Sequence, residues 1–62
     1  MKYSKLIQVL HHHGWEITGQ RGSHLKMRHP LRENALIVPN HGTKEIGKGL
    51  AIKILKSAGI IE

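Results

Sequence analysis

Apolar and polar residues alternate along residues 23 to 28, and this pattern predicts a short strand with two unlike faces. Successive side chains of an extended strand point to opposite sides. Leu25 and Met27 are therefore expected to enter a core. The residues on the opposite, solvent-exposed face are His24, Lys26 and Arg28.

Helical spacing of apolar residues predicts a first helix from residue 4 to residue 12 or 13. Ser4 is expected to be its N-cap, and Gly14 stands where a C-cap glycine would end it. The apolar residues that carry the spacing are Leu6, Ile7 and Leu10.

A hairpin is predicted after this helix. Residues 15 to 18 alternate apolar and polar side chains, which predicts a strand antiparallel to the strand over 23 to 28. Residues 19 to 22 contain two glycines and are expected to form the connection. Trp15 has an aromatic face that can stack on a base, but its place in the alternation favours packing in the core.

A third strand is expected over residues 35 to 38, after a turn-rich segment at residues 29 to 34. Leu36 and Val38 can face the core from this strand. Pro39 limits its continuation, because proline cannot donate a hydrogen bond to a neighbouring strand.

The last predicted element is a helix over residues 47 to 58, followed by Gly59 as its C-cap. Its apolar stripe is formed by Gly47, Leu50, Ala51, Ile54, Leu55 and Ala58. The expected fold class is α+β, in the order αβββα, with a three-stranded antiparallel sheet and both helices on one of its faces. A single domain is expected over residues 1–62.

Charge favours a nucleic acid as the partner. Ten Lys and Arg against four acidic residues give a net charge of +6, although an acidic protein fits the same charge. The chain has no cysteine, which excludes disulfides, thiolate catalysis and zinc sites with cysteine ligands. No apolar run is long enough for a membrane span or a signal peptide, so a soluble, cytoplasmic protein is expected.

His24 and its neighbours have the chemistry of a metal-free site for RNA cleavage. Histidine exchanges protons near neutral pH, while Lys26 and Arg28, with Arg21, supply fixed positive charge for phosphate. The RNA carries its own nucleophile, the 2′-hydroxyl. The alternatives are a surface histidine on a solvated strand face, or a histidine that binds RNA without catalysis.

Three consecutive histidines at positions 11 to 13 are not expected to form a metal site. Adjacent residues of a helix point about 100° apart, so these rings cannot converge on one ion. The four acidic residues are scattered and offer no paired carboxylates for a metal-dependent nuclease. No metal or other cofactor is expected.

The motifs along the chain resemble those of the HicA toxin family. They are Gly14-Trp15, Arg21-Gly22-Ser23-His24, the Pro30 turn, Val38-Pro39-Asn40-His41, Lys44-Glu45-Ile46 and Ile54-Leu55-Lys56-Ser57-Ala58-Gly59. The resemblance implies a fold like a double-stranded-RNA-binding domain, an mRNA interferase activity, and inhibition by an antitoxin of the HicB family. It also implies that His24 is the catalytic histidine. The segments 25–27 and 49–51 depart from the sequences of many relatives.

The expected function is that of a type II toxin: a ribosome-independent and metal-independent endoribonuclease that cuts single-stranded mRNA with His24. A HicB-like antitoxin is the expected protein partner, and contact with membrane or DNA is not expected. The expected RNA-binding residues are Arg21, Gly22, Ser23, Lys26, Arg28, His41 and Lys44. The second proton carrier is open between His41, a lysine and water. The alternative functions are a non-catalytic RNA-binding module and a module that binds only an acidic protein.

Overall fold

The structure is a computed structural model that describes all 62 residues. Its elements are α1 (Tyr3–His12), β1 (Glu16–Arg21), β2 (His24–Arg28), β3 (Leu36–Pro39) and α2 (Lys48–Ser57). The three strands form one antiparallel sheet in the order β1-β2-β3. This confirms the predicted α+β class and the order αβββα. Neither helix combines the length and the apolar character that a membrane crossing requires.

The core lies on one face of the sheet, and both helices pack there. It is formed by Leu6, Leu10, Trp15, Leu25, Met27, Val38, Ile46, Ala51, Ile54 and Ala58. Leu25 and Met27 are buried as the alternation predicted, and Trp15 is only 1% exposed, which confirms its place in the core. No polar or charged residue is buried. Because both helices cover the same side, the opposite face of the sheet is left open.

The start of α1 is capped differently from the prediction. Ser4 is not the N-cap: the helix begins one residue earlier, and Lys2 occupies the cap position without a side-chain hydrogen bond. The Tyr3 amide donates to the carbonyl of Lys44 at 3.1 Å, and the Ser4 amide donates to the carbonyl of Gly42 at 2.9 Å. The loop after β3 thus supplies the acceptors that the first turn of a helix lacks. A long-range contact has replaced the local cap.

The hairpin connection is shorter than predicted. β1 continues to Arg21, so residues 19 to 21, expected in the connection, belong to the strand. Only Gly22 and Ser23 form the turn, and Arg21 pairs with His24. Gly22 has a φ of 60°, and every residue of the chain with a positive φ is a glycine. Glycine with positive φ at the first turn position is typical of the type II′ turn, which suits the twist of a hairpin.

A bulge interrupts β1 at Thr18. Ile17 pairs with Met27, but the next pair joins Gly19 to Lys26, so Thr18 is the additional residue. Its hydroxyl donates to the Lys26 carbonyl at 3.4 Å. The bulge is at the outer edge of the sheet, where Ile17 remains 53% exposed.

β3 is shifted by one residue from the predicted range of 35 to 38. It includes Pro39, and it places Val38 in the core while Leu36 is half-buried. Proline is tolerated in this strand because β3 is an edge strand, with β2 as its only neighbour.

α2 is one residue shorter at each end than predicted, with Gly47 and Ala58 as its caps. Gly59 follows with a φ of 75°, as expected of a glycine that ends a helix. The predicted apolar stripe is correct except at Gly47, which is exposed, and at Leu50, which is 39% exposed rather than packed in the core.

His29 joins the end of α1 to the loop after β2. Its Nδ1 lies 3.0 Å from the Leu31 amide nitrogen, and its Nε2 lies 2.8 Å from the His13 carbonyl oxygen. An amide can only donate and a carbonyl can only accept, so in these two contacts Nδ1 is the acceptor and Nε2 is the donor. The ring also packs on Trp15, with 5.3 Å between centroids. This contact fixes the position of the loop that borders β3.

Gly14 must remain glycine for two reasons. Its φ is 93°, and a Cβ there would lie 2.7 Å from Nε2 of His29. We expect Gly14→Ala to lower the free energy of unfolding by about 1–3 kcal/mol, measured by urea denaturation. The control is Gly49→Ala in α2, where a Cβ meets nothing within 4 Å, and stability should be unchanged or slightly higher. Equal stability of the two variants would contradict the strain assigned to Gly14.

Candidate functional site

The uncovered side of the sheet, here called the open face, carries the charged residues of β2. His24, Lys26 and Arg28 are all exposed and alternate with the two buried residues of the strand, which confirms the predicted division of faces. Arg21 on β1 and Pro39 on β3 lie directly opposite His24. From strand pairing, the residues of the open face are Glu16, Gly19, Arg21, His24, Lys26, Arg28, Ile37 and Pro39.

A shallow depression of about 540 Å³ lies on the open face. It is lined by Gly19, Gln20, Arg21, His24, Lys26 and Ile37. Gly19 pairs with Lys26, and a Cβ at this glycine would be in ordinary contact, 3.8 Å from Cβ of Lys26. The absence of a side chain at Gly19 therefore makes room beside the lysine. The depression brings together three of the predicted site residues: Arg21, His24 and Lys26.

His24 has no internal partner. Four other histidine rings of the chain make hydrogen bonds or packed ring contacts, but His24 makes neither a hydrogen bond nor an ion pair. Each imidazole nitrogen can donate or accept according to its protonation. Both nitrogens of His24 are therefore available to exchange a proton with a bound molecule.

Gly22 and Ser23 form the turn between Arg21 and His24, which both line the depression. The Gln20 amide group donates to the Gly22 carbonyl at 3.0 Å. The Ser23 carbonyl accepts from the Asn40 amide at 2.7 Å. These bonds tie the turn to β1 and to the residue that follows β3, so the two residues fix where His24 begins β2.

Arg28 lies at the other end of the open face, and its side chain is held by a hydrogen bond within the protein. Its guanidinium donates to the Glu33 carbonyl at 2.9 Å, and Glu16 lies opposite on β1. Arg28 does not line the depression. Its contact tethers the loop between β2 and β3.

His41 and Lys44 do not line the depression. They belong to the loop that caps α1, where the ring of His41 meets the ring of Tyr3 edge-on at 4.9 Å between centroids. Lys44 donates through its amide to the His41 carbonyl at 3.2 Å. The structure therefore explains both residues as parts of this loop, and their contact with RNA stays a prediction.

The three consecutive histidines have separate contacts. Nδ1 of His13 lies 2.9 Å from the Val9 carbonyl oxygen. Nδ1 of His11 lies 3.4 Å from the carbonyl of Trp15 and 3.8 Å from the carboxylate of Glu16. No group of three or more potential ligands is arranged to hold a metal ion.

Three residues of the depression, Gly19, Gln20 and Ile37, were absent from the predicted site. Ile37 alternates with two residues assigned to the core, so its outward direction was readable from β3. Its position beside Lys26, however, depends on the strand register. Gly19 and Gln20 were missed because both were assigned to the hairpin connection, whereas they belong to β1.

Two comparisons with known proteins agree. A family model described as "HicA toxin of bacterial toxin-antitoxin" matches residues 3–60. The chain is also similar to the probable mRNA interferase HicA of Pseudomonas fluorescens (strain Pf0-1), with 38% identity over 60 residues. That match covers 97% of this chain and 97% of the relative. Both similarities extend over nearly the whole fold, including the open face.

The different settings of Arg28 and Lys26 predict different effects on stability. Arg28→Ala removes the donor to the Glu33 carbonyl and should lower the free energy of unfolding by about 0.5–1.5 kcal/mol. Lys26→Ala, the control, removes an exposed side chain that makes no hydrogen bond and should have little effect. Chemical denaturation measures both. Unchanged stability of Arg28→Ala would mean that the hydrogen bond from the Arg28 guanidinium to Glu33 does not stabilise the fold.

Proposed function

Since the chain belongs to the HicA toxin family, as its motifs predicted, we propose that it is an endoribonuclease toxin that cleaves mRNA. The observation that carries this proposal is the unpartnered ring of His24, which lines a depression between Arg21 and Lys26. A proton carrier with positive charge on both sides suits a phosphodiester substrate. The name of the relative, an mRNA interferase, supports the same substrate class.

The cleavage that fits this site uses the RNA's own 2′-hydroxyl as nucleophile. Its oxygen bonds to the adjacent phosphorus, the bond from phosphorus to the 5′-oxygen breaks, and the products are a 2′,3′-cyclic phosphate and a free 5′-hydroxyl. His24 either takes the proton of the 2′-hydroxyl or gives one to the leaving oxygen. The depression has no second histidine, so Lys26 or water carries the other proton.

Arg21 and Lys26 stabilise the negative charge that builds up on the phosphorane. They extend from the two strands next to each other on the open face. Fixed positive groups aimed at developing charge lower the barrier, because they need no reorganisation during the reaction. These residues and His24 can complete the reaction without a metal ion, and we propose that the enzyme is metal-independent.

The shape of the site favours single-stranded RNA. The depression is shallow, and the exposed side chain of Ile37 beside Lys26 offers an apolar surface to an unstacked base. A single strand can place a base there and a phosphate on the cations, whereas bases in a duplex are stacked and paired. We propose that Gly22 and Ser23 contact the RNA backbone beside the depression, with Arg28, His41 and Lys44 as more distant contacts.

A HicB-like antitoxin is the proposed inhibitor, and the cytoplasm is the proposed site of action. The net charge of +6 would speed association with an acidic antitoxin through electrostatic steering. An antitoxin that covers His24 would exclude RNA, because both would need the space around this residue.

The alternative is an RNA-binding module without catalysis. The same open face would hold RNA, but His24 would contribute only a contact. The two functions are separated by incubation of the pure chain with a long single-stranded RNA in EDTA. Cleavage in EDTA supports the metal-independent enzyme, whereas binding without cleavage at any enzyme concentration supports the module.

We expect His24→Ala to reduce RNA cleavage by about 10²–10⁴-fold, because a positioned acid or base is lost. The fold should persist, since the side chain of His24 is exposed and makes no hydrogen bond in the protein. The matched control is His12→Ala, an exposed histidine at the end of α1, which should cleave like the wild type. Wild-type cleavage by a folded His24→Ala protein would refute the assignment.

We expect Lys26→Ala to weaken RNA binding for all sequences alike and to reduce the salt dependence of binding by about one counterion. Lys56→Ala, an exposed lysine on α2, is the control and should keep the wild-type slope. Fluorescence anisotropy over a range of salt concentrations gives both slopes. An unchanged slope with a new choice of cleavage site would instead assign Lys26 to base recognition.

A further inference from the structure

A groove that is separate from the depression runs along the outer edge of β3. It lies between that edge, the loop from residue 31 to 34, and α2. Its volume is about 880 Å³, the largest in the molecule. The residues that matter for its chemistry are Leu31, Arg32, Ile37, Pro39, Leu50 and Lys53. His24 lies at one end of this groove and also lines the depression on the open face. Whatever occupies the groove therefore reaches the proposed catalytic residue.

The edge of β3 offers unpaired backbone groups to the groove. The bond from the Asn40 amide to the Ser23 carbonyl makes these two residues a hydrogen-bonded pair. Bonded and non-bonded pairs alternate in an antiparallel ladder, so the next pair, His24 with Pro39, is non-bonded. The pair of Lys26 with Ile37 is also non-bonded by this alternation.

Residues in non-bonded pairs direct their amides and carbonyls away from the partner strand. Ile37 therefore presents both an N–H and a C=O to the groove, and Pro39 presents a C=O. This alternation explains why Pro39 fits in β3, because its missing N–H would have pointed outward. The edge thus has the donors and acceptors that a further strand would use.

The walls of the groove are apolar and exposed. Leu31 is 87% exposed, Ile37 58% and Leu50 39%. Leu50 was predicted to lie in the core stripe of α2, but it faces this groove instead, one helical turn before Lys53. Such a group of exposed apolar side chains beside a free strand edge is typical of a protein-binding surface.

Charge indicates which kind of protein segment fits. Arg32 and Lys53 line the groove with Glu33 as their only acidic neighbour there, and the whole chain has a charge of +6. A second copy of the chain would carry the same charge and be repelled. The other free edge, at β1, is interrupted by the bulge at Thr18, and bulges discourage strand addition.

We propose that the groove binds an extended acidic segment with alternating apolar residues, carried by the antitoxin, which pairs with β3 as a fourth strand. The identity of the partner rests on the proposed function, whereas the site rests on the edge, the apolar walls and the charge. Backbone bonds to Ile37 supply the pairing, and Lys53 and Arg32 attract the acidic side chains. The segment ends beside His24, so binding in the groove restricts access to the catalytic ring.

Two variants of Ile37 test the backbone pairing. Ile37→Pro removes the outward N–H without removing a bond to β2, and Ile37→Ala removes the side chain but keeps the N–H. With a purified HicB-family antitoxin that binds the wild type, we expect the dissociation constant of Ile37→Pro to exceed that of Ile37→Ala by about 10-fold. Hydrogen exchange should also show protection of the Ile37 amide in the complex.

A second pair of variants tests the charge and does not depend on the fold of the proline variant. Lys53→Glu should weaken antitoxin binding by about 10-fold or more, because it reverses a charge in the groove. Lys48→Glu makes the same change on α2 outside the groove and should change binding less than about 2-fold.

RNA cleavage by the free wild-type chain is measured in parallel, so the two proposals fail separately. Equal affinity of Lys53→Glu and Lys48→Glu, with an unprotected Ile37 amide, would overturn the groove as the docking site. Protection of that amide by RNA rather than by antitoxin would overturn it as well. If the chain cleaves RNA but no antitoxin binds it, the proposed identity of the partner is overturned. Absence of cleavage would overturn the proposed enzyme but not the groove.

Discussion

The register of β2 between its two neighbours is the constraint on which the molecule depends. Leu25 and Met27 lie in the core while His24 and Lys26 lie in solvent. Side chains alternate with a period of two, so a slip of one residue would exchange these sets and bury the polar one. The two-residue turn before β2, the bulge in β1 and the hydrogen bond that ends the ladder to β3 all oppose such a slip. The same register therefore forms both the core and the candidate site.

A chain of 62 residues has too few elements to cover both faces of its sheet, and domains of this size bury only about 60% of their unfolded surface. Both helices stabilise one face, and the other face and the edge of β3 stay accessible. The two proposed binding surfaces meet at His24, which lines each of them. RNA on the open face and a peptide in the groove would compete for that residue. This competition gives a physical basis for inhibition without any change of fold.

The features that sequence predicted well are those with a local cause. The alternation in β2 and the spacing in α2 reflect the period of each element, and both located the core. The errors have long-range causes: Ser4 is not the cap because a distant loop supplies carbonyl acceptors to α1. Gly19 belongs to β1 because its pairing with β2 extends that strand beyond its predicted end. The exposure of Leu50 and the groove beside it depend on how α2 sits against β3, which no local pattern specifies.

The most direct test of RNA binding on the open face is an NMR titration of the ¹⁵N-labelled chain with a 2′-O-methyl RNA oligonucleotide, which lacks the nucleophile and stays intact. We expect the amide shifts to concentrate on the open face, at Arg21, His24, Lys26 and Ile37. The amides of Lys48 and Lys56 on α2 should remain unchanged. Shifts confined to the exposed sides of the helices, with the open face unaffected, would contradict the assignment of the RNA site.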